Sequence, residues 1–545
     1  MSPDRLLAVL LCALCASAVD PSPVRFRNVA SSAGLNFVVE NHPTPEKQII
    51  ETMPGGLAAF DYDGDGLTDI FFTNGAAIPA LDKNDPKYHN RLFRNLGGMK
   101  FKDVTGEAGL AGSGYCIGAA AADYDNDGHV DLFVAGVRSN HLYRNLGNGK
   151  FEDVTAKAGI KSGAWAITGG WLDYNNDGLP DLFLVNYLQW SPEKAPFCGD
   201  PVNKVRAYCH PKHFGGLPNA LYRNRGNGTF EDVSVKSGIA AHVGKGMSIG
   251  LADYDQDGFT DVFITNDKIP NFLFHNLGNG KFAEVALEAG VALADHARAV
   301  SAMGADFRDY DNDGLPDIAF AALAGEWFPL FRNTGKGRFR DWTSRSRLAQ
   351  LSVLRSGWSP LLYDFNNDGA KDLFVSGAHV SDNVEYFEPT KYKLSNFLFA
   401  GAGDGTFHDV SGEAGADFQT PRPHRGAAAA DFNNDGKLDV VVSSLGEPAE
   451  LWENVSPGEN SWLILRLQGT RSNRDGIGAR IRAGGQHNHV SVNAGYASSG
   501  QFGVHFGLGG ARAVDRIEIR WPSGVEQVLT GVPVDQVLQV REGAR

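Results

Sequence analysis

Cysteine is scarce, with five in 545 residues. That excludes a small scaffold held together by many disulfides. Two of the five, Cys12 and Cys15, fall near an apolar run from Leu6 to about Leu14, which is followed by the small-x-small series Ala16-Ser17-Ala18. A short charged start, a brief apolar stretch and a small-residue cleavage pattern read as a secretory signal peptide over 1–18. The run is too short for a membrane anchor, which needs about 18 apolar residues, and no later stretch is long enough either. A lipid anchor is not expected, because Leu11 and Leu14 precede the cysteines where such signals carry small residues. Positive charge is also lacking. Lys and Arg number 50 against 64 Asp and Glu, a net charge of −14, which argues against nucleic acid as a partner. No HExxH, GxSxG or phosphate-binding loop appears, so no standard reaction can be assigned. Disorder is excluded by 42% apolar residues.

What the chain has in plenty is glycine (66 residues) and one acidic motif, DYDGDGLTD at 61–69, which returns as DYDNDGHVD, DYNNDGLPD, DYDQDGFTD, DYDNDGLPD, DFNNDGAKD and DFNNDGKLD. The seven copies start 62, 50, 80, 56, 55 and 67 residues apart, a spacing that points to a propeller or an array. Each copy lies between two apolar runs, such as IGAAAA and DLFVAG. A strand such as NHLYRN follows, then a Gly-rich turn such as NLGNGK, then a strand such as FEDV. Short runs rich in Val, Phe, Ile and Leu bounded by Gly and Asn read as strands, and four per unit make one blade. The first FxDV-like strand, FRNV at 26–29, precedes the first acidic loop, and none follows the last LYRN-like strand, ELWEN. A segment at 24–30 is therefore expected to complete the last blade and close a seven-bladed, all-β propeller over 19–457.

Four carboxylates within nine residues repel one another unless a cation sits among them. Calcium takes six to eight oxygen ligands, and calcium loops supply them from alternate positions. The expected ligand sets are Asp61, Asp63, Asp65, Leu67 and Asp69; Asp123, Asp125, Asp127, His129 and Asp131; Asp173, Asn175, Asp177, Leu179 and Asp181. The remaining four are Asp253, Asp255, Asp257, Phe259 and Asp261; Asp309, Asp311, Asp313, Leu315 and Asp317; Asp364, Asn366, Asp368, Ala370 and Asp372; Asp431, Asn433, Asp435, Lys437 and Asp439. The seventh position varies in side chain, as expected where only its carbonyl binds. The sixth is always Gly, which permits a sharp left-handed turn. The twelfth is apolar every time (Phe72, Val134, Leu184, Ile264, Phe320, Val375, Val442), so these are not helical EF-hands, which need Glu there. Up to seven Ca²⁺ ions are expected, and seven divalent ions would balance the net charge of −14. Since every unit repeats the loop, the ions are expected to be mainly structural.

This pattern resembles the FG-GAP repeats of integrin α-subunit propellers and the related bacterial VCBS-type repeats, over about 24–456. After Pro457 and Gly458 the pattern stops, and short alternating segments predict a small antiparallel β domain over 458–545. Within it SNRDGIGARIRA, GYASSGQFGVHFGLG and IEIRWPSG resemble the ASPIC/UnbV domain. The order of propeller and tail is similar to the cartilage acidic protein family and its bacterial relatives. The resemblance implies a secreted, calcium-binding protein of adhesive or matrix type and supplies no catalytic residues.

Cys198 and Cys209 are expected to form a disulfide in an oxidising compartment. With His210 and His213 they offer an alternative transition-metal set. Cys116 is expected to be a buried free thiol, and His487 and His489 to lie on one exposed polar strand face. Long insertions at 33–56, 75–90, 187–219 and 377–396 belong on the ring face away from the acidic loops. They carry Tyr187, Trp190, Tyr208, Phe214, Tyr386, Phe387 and Tyr392, the expected partner-binding residues. The expected function is a secreted, extracellular or periplasmic binding or adhesion module for an extracellular protein or glycan. The alternative is an extracellular or periplasmic carbohydrate-active lyase or hydrolase that uses the long-loop face.

Overall fold

The computed structural model describes residues 23–194, 196–500 and 503–543; the expected leader at 1–18 lies outside them. Seven four-strand antiparallel meanders form the blades. The inner strands are Leu57–Phe60, Tyr115–Ala122, Ala166–Leu172, Gly246–Ala252, Ala305–Arg308, Gly357–Tyr363 and His424–Ala430. Each touches the inner strand of the next blade, and the seventh touches the first, so the ring is closed. The chain thus forms the seven-bladed propeller that its period predicts. In the last blade Phe26–Asn28 pairs antiparallel with Glu450–Asn454, in the register Phe26 to Asn454. The open edge of that sheet is thereby covered. Between blades the core is aromatic and aliphatic, with Phe71, Leu132, Phe183, Phe263 and Phe374 buried.

The C-terminal strands form two sheets. One joins Val504–Gly509, Ser461–Gln468 and Gln536–Arg541; the other joins Gln486–His489, Arg480–Ala483, Ala513–Arg520 and Glu526–Pro533. Pairing within these sheets is antiparallel except that Ser461–Gln468 runs parallel to Gln536–Arg541. A core of Leu463, Leu465, Ile481, Phe506, Ile517 and Trp521 lies between them and merges with Tyr124 and Trp171 of the ring.

A hairpin of these C-terminal residues, Asn493–Ala494 and Ser498–Ser499, enters the channel of the ring. It meets all seven inner strands. Ser499 pairs with Ala58, and the Ala119 N–H donates to Ala497 O at 3.1 Å. The Asn493 amide donates to Gly169 O at 2.7 Å, and the Ser248 hydroxyl to Gly495 O at 2.6 Å. Gly495 N–H donates to Ala305 O at 2.9 Å, Tyr496 N–H to Ser359 Oγ at 2.8 Å, and the last blade packs on Ser498–Ser499. Glycine makes this approach feasible. A Cβ on Gly304 would lie 2.4 Å from Trp358 O and 2.5 Å from Tyr496 N, and one on Gly118 2.2 Å from Ile167 O. The small residues that patterned the inner strands are thus the lining of a filled channel.

Candidate metal centres and the channel mouth

Each acidic loop turns between the first and second strands of its blade, and one hydrogen-bond scheme recurs. In the first loop the Asp61 carboxylate accepts the N–H groups of Gly64, Asp65 and Gly66 at 2.8, 3.1 and 2.9 Å. Asp65 accepts Leu67 N–H at 2.9 Å, a local turn that leaves the Leu67 side chain over the Gly97 turn. Asp69 accepts Tyr62 N–H at 3.0 Å and Asn95 N–H at 2.7 Å, tying the loop to the third strand. The ninth-position carboxylates of the other six loops (Asp131, Asp181, Asp261, Asp317, Asp372 and Asp439) make the equivalent pair of bonds. The sixth-position glycines all have positive φ, from +84° to +98°.

Four loops bring three carboxylates together, with ligand atoms within 4.8 Å of one another: Asp61, Asp63 and Asp69; Asp123, Asp125 and Asp127; Asp253, Asp255 and Asp261; Asp309, Asp311 and Asp317. Two atoms in these sets, Asp63 Oδ1 and Asp253 Oδ1, are buried without a hydrogen-bond partner. Burial pushes Asp69 up to about 8 and Asp261 to about 7, and Asp131 and Asp317 well above the carboxylate range. A buried carboxylate kept from its charged form, beside an orphaned oxygen, is the electrostatic deficit that a cation corrects. The donors of these four sets are all oxygen, which suits a hard divalent ion, and at the fourth loop His275 also comes within reach, grouped with Asp255 and Asp257. In the other three loops Asn stands at position three. There the Asn175, Asn366 and Asn433 amides donate to Asp177, Asp368 and Asp435 at 2.8, 2.9 and 3.1 Å, so a hydrogen bond takes the place of a fourth charge.

Residues outside the motif complete the loops. Arg94 pairs with Asp63 and Asp65 at 2.7 and 3.0 Å, Arg144 with Asp125 and Asp127, and Arg332 with Asp311 and Asp313. These arginines stand next to the Asn that closes the third strand. That Asn reaches the preceding blade: Asn145 Nδ2 donates to Tyr62 O at 2.7 Å, and Asn224, Asn276, Asn333, Asn454 and Asn95 repeat the bond. Position four is left-handed throughout, at Gly64, Asn126, Asn176, Gln256, Asn312, Asn367 and Asn434. Asn tolerates that region best among non-glycine residues. Its amide spans to the next loop, as from Asn126 to Gly178 O at 2.9 Å and from Asn176 to Gly258 O at 3.0 Å. The "RN" of LYRN and the Asn-rich fourth position carried this signal in the sequence, but only contact between blades shows its use.

The C-terminal sheets sit on this end of the ring. Six of the seven sixth-position glycines face them: Gly128 meets Arg474, Gly178 Arg471, Gly258 Arg520, Gly314 His487, Gly369 Gln486 and Gly436 Trp462, whereas Gly66 is open. Arg474 lies 3.6 Å from Asp123, Arg480 lies 3.4 Å from Asp253, and Asp123 N–H donates to Asp475 at 2.9 Å. The expectation of an exposed strand face at His487 and His489 is corrected here. His489 is buried, bonded through Nε2 to Leu251 O at 2.9 Å, and burial lowers its pKa to about 3. Its strand faces the ring, not solvent.

At the opposite end the insertions meet. Lys47 bonds Asp382 at 2.6 Å, Arg206 donates to Glu46 O at 3.0 Å, Asn383 donates to Arg206 O at 2.8 Å, and Tyr386 donates to Asp200 at 2.8 Å. Segments 33–56, 187–219 and 377–396 therefore bridge the channel mouth. Cys198 and Cys209 form a disulfide within this bridge, so they do not assemble a metal set with His210 and His213, and Cys116 is free and buried. Tyr386 and Phe387 are exposed, while Tyr208, Phe214 and Tyr392 are half-buried. Tyr187 and Trp190 are corrected: both are buried, because both pack edge-to-face on Trp165, at 5.1 and 6.2 Å. Beneath the bridge lies a cavity of about 360 Å³ lined by Trp358, Tyr187, Tyr208, Phe387, Asp267 and His379 among others.

The FG-GAP-like repeat model matches residues 61–134, 123–184, 214–264, 253–320, 309–375 and 391–442. The chain belongs to the FG-GAP-like repeat family. The ASPIC and UnbV model matches 469–545, the part that caps the repeats. Cartilage acidic protein 1 of Mus musculus is 27% identical over 337 residues, covering 59% of this chain and 49% of that protein. The Homo sapiens protein is 26% identical, covering 59% of this chain and 48% of its own length. The chain thus spans about half the length of these curated relatives. Among solved structures, a lectin of Agrocybe aegerita, described as recognising non-reducing terminal N-acetylglucosamine, gives a TM-score of 0.40 at 14% identity. It covers 73% of this chain and 87% of that one. Among the described residues no helix is long and apolar enough to cross a membrane.

Proposed function

We propose that this FG-GAP-repeat protein is a secreted, calcium-loaded binding or adhesion module whose partner is an extracellular protein or glycan taken at the bridged mouth of the channel. One observation carries the reading: the acidic-loop end is capped by the C-terminal sheets and the channel is filled, which leaves the mouth under the insertions as the end built for recognition. Calcium in the acidic loops would draw on the position 1, 3, 5 and 9 side chains and the position 7 carbonyl. When bound it supplies charge balance for the buried carboxylates. The loops fix those carboxylates through backbone N–H bonds. Extracellular-type sites have Kd near 10⁻⁴ M, so ~1 mM calcium adds about 1.4 kcal/mol per site by mass action.

The test is capture of extracellular proteins and glycans by the full chain in calcium and in chelator, alongside a variant carrying Tyr386→Ala and Phe197→Ala. Both residues are exposed on the bridge. Capture lost in the variant while the melting temperature holds supports the reading, and capture unchanged overturns it. A second reading, a glycan lyase or hydrolase, draws on Asp267, a carboxyl at the cavity wall pushed by burial to about 6, the poise of an acid–base group. Shortening of any captured glycan during the same incubation would decide for it.

A further inference from the structure

The cavity under the bridge is closed below. Its floor is Met53 and Trp358, and both rest on the tip of the channel hairpin: Tyr496 donates to Met53 O at 2.8 Å and packs edge-to-face on Trp358 at 4.8 Å. A volume of about 360 Å³ is at the small end for ligand sites, enough for one ring and part of a second. Its polar walls are organised in advance. His379 and His210 each accept, at Nδ1, the backbone N–H two residues on, from Ser381 at 3.1 Å and Lys212 at 3.0 Å. A neutral imidazole accepting at Nδ1 carries its proton on Nε2, so each ring offers the cavity one N–H donor. Desolvation lowers the pKa of both rings.

Two acids of the wall are already engaged. Tyr187 donates to Asp267 at 2.7 Å, while Glu326 pairs with Lys268 and also accepts Ser301 N–H at 2.8 Å. Their remaining lone pairs are acceptors that a ligand's hydroxyls can use. Tyr208 and Phe387 add aromatic surface. A cation would face two N–H donors and Lys268; an anion would face Asp267, Glu326 and Glu388. A molecule with several hydroxyls, an apolar face and no charge satisfies every wall.

We propose that this cavity takes a single uncharged sugar ring at the end of a glycan, its hydroxyls shared between the His379 and His210 donors and the Asp267 and Glu326 acceptors, and one ring face against Phe387. This rests on the reading of the bridged mouth as the recognition face, and deepens it.

The test uses the full chain in ~1 mM calcium, an array of glycans ending in neutral or acidic sugars, and calorimetric titration of the neutral methyl glycoside of each hit. Binding of neutral termini is expected. It should weaken about tenfold or more in Phe387→Ala and in His379→Ala, and acidic termini should bind at least tenfold more weakly. Should His379→Ala fail to fold, Phe387→Ala decides, since its ring is exposed and carries no core packing. A blank array, a preference for acidic termini, or titrations indifferent to the variants would overturn the proposal. Protein capture that still depends on Tyr386 and Phe197 would in that case leave the face reading standing. Loss of both would remove it too.

Discussion

The loops at one end of the ring repeat seven times with the same bonds, while the loops at the other end differ in every blade. At the acidic end each blade solves one local problem, holding carboxylates close, and in six of the seven an Asn of the third strand ties the solution to the neighbouring blade, Gly401 standing in its place in the sixth. At the other end only three blades carry long bridging insertions, which rely on one another, as Lys47 does on Asp382 and Tyr386 on Asp200. The lesson is that repetition here builds the frame, and departure from repetition builds the bridge over the cavity. The capped end can be strong without being accessible. The bridged end is held by contacts among the insertions themselves.

On the proposed calcium loading, that contrast can be broken most severely by chelation. If the acidic end is the frame, chelation should cost on the order of 10 kcal/mol summed over the loops, read as a large fall in melting temperature in EDTA relative to ~1 mM calcium. Equal melting in the two buffers would dissolve the distinction between the ends. Next in size is the hairpin that joins them. Tyr496→Ala removes a fully buried ring and its bond to Met53 O, and should destabilise by about 3–5 kcal/mol in denaturant melts.

Within the cap, the Glu542 carboxylate accepts the N–H groups of Thr470, Arg471 and Ser472 at 2.8, 2.8 and 2.9 Å. Burial alone would raise this group, but the Ser523 hydroxyl and those N–H groups hold it down to about 2. A folded pKa below the usual 4.5 gives stability that is fully present above pH 4.5 and lost as pH falls toward 2. Glu542→Gln should cost about 1–3 kcal/mol at neutral pH and flatten that acid limb of the stability curve.

The smallest effect lies at the mouth. Burial raises Asp267 from 3.8 to about 6, so the folded state holds a proton that the unfolded chain releases. Its contribution is therefore greatest below pH 4 and falls as pH rises to about 6. Asp267→Asn should leave the melting temperature at pH 7 unchanged or slightly higher and remove the slope between pH 4 and 6. A large loss at pH 7 would mean that the mouth, too, is part of the frame.

The ring was legible because its evidence is local and repeated. Alternating apolar runs, the Gly turns and FRNV standing ahead of the first loop are patterns within a few residues of one another, and seven copies average out any one ambiguity. The carboxylate spacing was legible for the same reason. The roles of Arg94, of Asn145 and of the fourth-position residues were not, since each acts on a partner in another loop or blade. Tyr187 and Trp190 misled because an aromatic in a long insertion looks the same in sequence whether it is a surface residue or, as here, packs on Trp165.

Period, residue type and spacing along the chain were enough to specify an all-β ring of seven blades with an acid-rich turn in each. Folding in three dimensions alone decided that Asn493–Ser499 fills the channel, that the C-terminal sheets cover six of those turns, and that three insertions close over a cavity. Ser499 and Ala58, or Tyr496 and Met53, stand more than four hundred residues apart. No periodicity links such distant positions; they meet because buried polar groups and close-packed surfaces must find complements wherever the chain brings them.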